Sequence, residues 1–131
     1  MTQPNNNIVR VIDSAIDCPQ IPIIDGGGNA KVVLWPGNGS RFRTMQILTL
    51  EDGARTIPLN HPSDSVYYVV SGSGSVVDLT SGEISPLSEG AMVHVDAGDS
   101  YRFSADKSQG FKLLGGPCPA DESLYVGLTA I

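Results

Sequence analysis

Apolar and polar residues run along this chain in short stretches, each ended by glycine, proline or other turn-forming residues, the pattern of strands joined by tight turns. The stretch Gly53 to Gly72, GARTIPLNHPSDSVYYVVSG, carries it most clearly. It predicts a strand, a corner holding His61, and a second strand over Val66 to Val70 that stops at Gly72. Further strands are expected at Ile8 to Ile12, Val32 to Trp35, Phe42 to Leu50, Gly74 to Leu79 and Ile84 to Leu87. Ala91 to Val95, Tyr101 to Phe103 and Phe111 to Leu114 continue the series, with Tyr125 to Leu128 as a last strand. Pro22 makes Ile21 to Ile24 an edge or a non-strand, and Gly115 to Pro119 reads as an irregular tail. In Phe42 to Leu50, alternation puts Arg43, Met45, Ile47 and Thr49 on one face and Phe42, Thr44, Gln46, Leu48 and Leu50 on the other. Both faces are mixed, so the pattern alone does not say which is inside. No helical period longer than a turn is present, and strands at this spacing mean a β-sandwich or barrel.

The length of 131 residues suits one domain, and 15 glycines and nine prolines fit a turn-rich all-β protein. A net charge of −6 without a Lys/Arg cluster speaks against nucleic acid as a partner. No apolar run approaches the roughly 18 residues a membrane helix needs, and MTQPNNN lacks the order of a secretory signal, so a cytoplasmic protein is expected. Cys18 and Cys118 lie too far apart for a CxxC motif and read as two separate thiols. Asp25-Gly26-Gly27-Gly28-Asn29 is a turn rather than a phosphate loop, because Lys31 leads into a strand instead of a helix.

Two glycine-bounded stretches occur in an order that resembles the cupin family, whose first motif is G(X)5HXH(X)3,4E(X)6G and whose second is G(X)5PXG(X)2H(X)3N. Gly72 closes the first, which puts Leu59 and His61 at its paired histidines and Ser65 at its glutamate. Gly90 opens the second, with Asp96 at the proline, Gly98 at the glycine and Tyr101 at the last histidine. The match covers roughly Arg43 to Leu114. The resemblance implies an all-β antiparallel double-stranded β-helix, a jelly-roll-like barrel with a cavity between two short sheets. It divides the chain 1–131 into an arm (1–30), a barrel core (31–115) and a tail (116–131). It also implies four ligand positions for a divalent metal, of which this sequence keeps His61 alone. Leucine supplies no donor, serine is a weak neutral one, and tyrosine binds well only as phenolate, so no cofactor is expected.

The candidate residues follow from that inner face. His61 reads either as a general acid or base, or ligand anchor, or as a buried histidine hydrogen-bonded to a neighbour such as Tyr101. Tyr101 reads as a proton donor or as an aromatic core residue with a satisfied hydroxyl. Tyr67 shares the face of Ser65 and is a second interior phenol, whereas Tyr68 points the other way and packs. Gln46, Leu59, Ser65, Val93 and Phe103 are the expected ligand contacts. His94 points to the outer layer as a structural residue, and Arg41, Arg43 and Arg55 are solvated or hold an anion at the mouth. The expected function is binding of a small, partly apolar molecule with metal-free acid/base chemistry of isomerase, cyclase or lyase type. The alternatives are a non-catalytic binding or sensing module and a metal enzyme with an altered ligand set. The resemblance implies a homodimer, since small cupins commonly pair through arm strands and outer sheet faces, and the apolar arm from Ile8 to Ile24 fits that.

Overall fold

The computed structural model describes residues 9–16 and 18–128. Nine strands are present among them: β1 (Ile24–Asp25), β2 (Gly28–Leu34), β3 (Met45–Leu50), β4 (Arg55–Thr56), β5 (Asp64–Asp78), β6 (Ile84–Ser88), β7 (Met92–Val95), β8 (Tyr101–Ala105) and β9 (Phe111–Cys118). All pair antiparallel, in the order β1-β4-β8-β5-β9-β3-β2, with β6 and β7 also on β5. They form a nearly closed antiparallel β-barrel.

The long strand β5 holds the barrel together because it serves both sheets. Its first half pairs with β7 and β9, and its second half with β6 and β8. Gly72 does not end this strand, contrary to the expectation of two separate strands. Glycine here lets the backbone change sheets without losing pairing. Gly72 sits at φ +81°, and a Cβ on it would lie 1.8 Å from the Gly110 carbonyl oxygen, so only glycine fits.

Alternation along β3 and β5 resolves which faces are inside. Gln46, Leu48 and Leu50 are buried, while Met45, Ile47 and Thr49 are half-buried. In β5, Ser65, Tyr67 and Val69 are at most 1% exposed and Val66, Tyr68 and Val70 are 41–43% exposed, the period of two that a strand with one covered face requires. Tyr68 therefore stands half-exposed on the outer face instead of packing.

The interior is divided in two. Leu48, Leu50, Val69, Phe103, Phe111 and Leu113 fill one part with hydrocarbon, and Tyr67 and Tyr101 both sit edge-on to Phe103 at centroid distances of 4.8 and 5.6 Å. Beyond those rings lie the buried polar residues Thr44, Gln46, His61, Ser65 and Asp121. Carboxyl, imidazole and amide groups are kept in such a place only by hydrogen bonds among themselves.

Several expectations at the ends of the chain are corrected. Residues 9–12 form no strand, and Ile8 lies outside the described residues. Ile21 and Ile23 are each 4% exposed in the chain's own core, and Ile24–Asp25 pairs with Arg55–Thr56, so this part of the arm belongs to the barrel. The segment from Gly115 is not irregular: β9 runs on to Cys118, because Gly115 and Gly116 pair with Tyr67 and Val66. Glu122–Tyr125 is a 3-10 turn, not a strand, with Asp121 capping it through Ser123 N at 3.1 Å.

Candidate functional site

The corner before β5 is tied to the turn before β8 by backbone bonds, and this brings His61 to Tyr101. Leu59 N donates to Tyr101 O at 2.8 Å, Tyr101 N donates to Leu59 O at 2.9 Å, and Gly98 N donates to His61 O at 2.8 Å. Asn60 Nδ2 donates to Gly98 O and Ser100 Oγ, both at 2.8 Å. Pro58 and Pro62 stiffen the corner on either side. Leu59 and His61 both point inward and are each 3% exposed.

Inside, four side chains join in one line. Asp121 Oδ2 is 2.7 Å from His61 Nδ1, His61 Nε2 is 2.8 Å from Tyr101 Oη, and Tyr101 Oη is 2.7 Å from Tyr67 Oη. Asp121 Oδ1 in turn accepts from Ser123 N at 3.1 Å and from Ser123 Oγ at 2.7 Å. Four polar groups drawn from the corner, β5, β8 and the segment after β9 thus form a buried network in which each supports the next.

Glycines in β9 make room for it. A Cβ on Gly115 would lie 2.0 Å from Val66 O and 2.9 Å from the Tyr67 ring, and one on Gly116 would lie 3.2 Å from Thr44 Oγ1 and 3.5 Å from the Gln46 amide. Gln46 Nε2 donates to Tyr125 Oη at 3.1 Å, and Thr44 Oγ1 donates to Pro117 O. One buried atom in this region, Gln46 Oε1, has no partner, while the Ser65 hydroxyl lies beside the Tyr67 and Tyr101 phenols and acts to lower the pKa of both. Buried polar atoms without a partner are uncommon and mark places where a water or a ligand atom belongs.

Burial, reinforced by the neighbouring Tyr101 hydroxyl, pushes the Tyr67 phenol well above its ordinary value. Burial raises Tyr101 to about 12, against the opposing pull of its hydrogen bond with Tyr67. At Asp121 burial also works upward, but the hydrogen bonds from Ser123 and His61 outweigh it and leave the carboxyl lowered. The phenols are therefore neutral donors and the carboxylate is charged. Because the native Tyr101 pKa of about 12 lies above the ordinary tyrosine value of 10.0, its contribution is intact below the unfolded value and is lost as pH rises through the native one. In an alkaline titration, phenolate absorbance from Tyr67 and Tyr101 should appear only together with loss of the β circular-dichroism signal. Full ionisation of all tyrosines in a still-folded chain would contradict this burial.

A cleft of about 220 Å³ opens between the β6 side and the β7 side of the barrel, with Val76, Val93, Val95 and Tyr101 in its wall and Asp78, Glu83, Asp96 and Asp99 among its lining residues. Of the expected ligand contacts, Val93 lines this cleft, and Gln46, Leu59 and Ser65 lie buried about the polar network. Phe103, 0% exposed, is part of the aromatic core. His94 lies on the outer face, 3.8 Å from Asp64 and 3.5 Å from Asp96. Arg55 pairs with Asp25 at 3.6 Å, and Arg43 lines an outer groove, so neither is at the mouth. Asp121 and Tyr125 escape the sequence reading. The one signal for them is an aspartate followed two residues later by serine, a capping pattern easily passed over in a short tail.

The residues do not fit the divalent metal that the resemblance implies. Both His61 nitrogens already have partners, Leu59 offers no donor, Ser65 offers only a neutral hydroxyl, and Tyr101 holds its proton to about 12. Among the described residues no group of three or more His, Cys, Asp or Glu side chains is placed to hold a metal ion.

No family model matches the sequence, and no curated protein does either. Solved structures do match. The polyketide cyclase RemF from Streptomyces resistomycificus is 16% identical with a TM-score of 0.69, the match covering 85% of this chain and 80% of that one. A predicted oxalate decarboxylase from Thermotoga maritima is 18% identical with a TM-score of 0.70, over 85% of this chain and all (100%) of the other. An RmlC-like cupin from Shewanella frigidimarina is 19% identical with a TM-score of 0.69, over 88% and 96%. At such identities the likeness is one of fold, and with the antiparallel pairing of the nearly closed barrel it shows that the chain folds as a small cupin-type β-barrel.

Proposed function

We infer that this barrel binds a small, partly apolar organic molecule in the cleft beside Tyr101 and exchanges a proton with it without a metal, in an isomerisation, cyclisation or elimination. The observation that carries this reading is the buried line Asp121–His61–Tyr101–Tyr67, one member of which, Tyr101, also lines the cleft. Stability alone does not call for such a network, since an apolar filling of the same space is often as good. The valines of the cleft suit a hydrocarbon or ring, and its four carboxylates favour a neutral or cationic ligand over an anion. A polyketide cyclase shares the fold, in accord with ring-forming chemistry.

A second reading, binding without turnover, is favoured by the coverage of Tyr67 and Tyr101, which are only 1% and 2% exposed. Thermal-shift screening with neutral and cationic ring-bearing compounds separates the two. A compound that raises Tm in the wild type but not in Tyr101→Phe, and that is recovered altered after incubation, supports catalysis; recovery unaltered supports binding alone. If no compound of this class raises Tm, the ligand reading fails.

The protein is proposed to work in the cytoplasm as a homodimer. Among the described residues no helix is long and apolar enough to cross a membrane. Val66, Tyr68 and Met92, which line a groove of about 470 Å³ on the outer sheet, are 43%, 42% and 67% exposed and supply the apolar face that a second copy would cover. Light scattering on the screened samples should give about twice 13.8 kDa; a particle of monomer mass at micromolar concentration removes the dimer.

A further inference from the structure

We propose that Asp121 is a positioning residue that fixes His61 in the Nδ1–H tautomer, so that Nε2 takes up the Tyr101 hydroxyl proton whenever Tyr101 takes one from the ligand. This rests on the acid/base reading above and extends it to a residue outside the motif-bearing part of the chain.

The direction follows from the donors and acceptors. A carboxylate only accepts, so the 2.7 Å contact with Asp121 Oδ2 places a proton on His61 Nδ1. In the neutral imidazole the other nitrogen is then an acceptor, and Tyr101, 2.8 Å away, donates to it. Tyr101 Oη accepts in turn from Tyr67 at 2.7 Å. Each hydroxyl thus donates toward Asp121.

The proton balance closes within the chain. A proton leaving the ligand forms a new O–H bond at Tyr101 Oη as the old Tyr101 O–H proton passes to His61 Nε2, giving an imidazolium beside the Asp121 carboxylate. Running the steps backward returns a proton to another position of the same molecule, which is an isomerisation, or to a leaving group, which is an elimination. No oxidant, reductant or co-reactant is needed. Asp121 is held for this task from its far side, since Ser123 donates to Oδ1 from both its backbone and its hydroxyl, leaving Oδ2 aimed at the imidazole. His61 and Asp121 are 3% and 8% exposed at their side chains, so water competes little for the contact.

The test is nitrogen-15 NMR of the histidine rings in the full chain, with His94 identified by a His94→Gln sample. In the wild type at a pH where His61 is neutral, Nδ1 should show the signal of a protonated ring nitrogen, with a far-downfield proton, and Nε2 that of an unprotonated acceptor. Asp121→Asn, which presents an amide donor, should abolish that downfield proton and shift the ring toward the Nε2–H tautomer. Tyr101→Phe should move the Nε2 signal and leave Nδ1 in place. A wild-type His61 in the Nε2–H form, an Asp121→Asn ring with its tautomer unchanged, or an Nε2 signal indifferent to Tyr101→Phe would each overturn the proposal. If Asp121→Asn does not fold, the wild-type and Tyr101→Phe spectra still decide it. The readout needs no ligand, so a failed compound screen and a wrong tautomer are distinguishable results.

Discussion

Gly115→Ala should cost this protein more than about 4 kcal/mol, enough to leave much of the chain unfolded, since domains of this kind hold only about 5–15 kcal/mol in all. The added Cβ would meet Val66 O at 2.0 Å and the Tyr67 Cα at 2.7 Å. Both are backbone atoms of the adjoining strand, so no rotamer change relieves the overlap, and β5 and β9 must part where Tyr67 is held. Gly82→Ala serves as the control. It lies at φ +81° in the hairpin turn with nothing within 4 Å of the added atom, so it carries only the left-handed backbone cost of about 1–2 kcal/mol. Urea unfolding of both variants against the wild type measures the contrast. Equal midpoints for the two variants would mean that Gly115 is not packed under Tyr67 as described.

His61→Ala has the next largest expected effect, a loss of roughly 3 kcal/mol, because the change strands a buried carboxylate and a buried hydroxyl at once. Asp121 is 6% exposed and Tyr101 2% exposed, so bulk water cannot replace the imidazole without opening the barrel. The double variant His61→Ala/Asp121→Ala should be less destabilised than the sum of the single variants, by about 1–3 kcal/mol, since the second change removes the group that the first left unpaired. Additive losses would show that the two residues do not depend on each other. The same His61→Ala protein should fail to turn over any compound that the wild type alters, whereas unchanged turnover would remove His61 from the chemistry.

Much of this fold was legible along the chain. The strands over Met45–Leu50, Ile84–Ser88, Met92–Val95 and Tyr101–Ala105 announce themselves by alternation and turn residues, local properties that need no knowledge of neighbours. That Leu59 and His61 share a face, and that Tyr67 opposes Tyr68, follow from the same period of two; that the first face is the inner one was implied by the family resemblance. What failed was whatever depended on a partner strand. Gly72 looks like a stop until Gly110 is seen pressed against it, and Gly115-Gly116 looks like a loop until Tyr67 and Gln46 are seen lying over them. Ile21 and Ile23 look like an arm for another subunit, yet the chain's own barrel has a place for them.

The site divides in the same way. That Ser65 and Tyr67 share a face, and Leu59 and His61 another, was written in the order of the residues, because side-chain direction in a strand is set one residue at a time; that these faces and those of Tyr101 and Gln46 meet in one interior was implied only by the family resemblance. That His61 holds a carboxylate, with a phenol on its other nitrogen, was decided only by the fold. Asp121 lies 60 positions from His61 along the chain, and nothing local marks it as anything but the cap of a short turn. Pattern fixes the direction of a side chain; only closure of the barrel, which brings the segment after β9 against His61 and Gln46, fixes what that side chain meets.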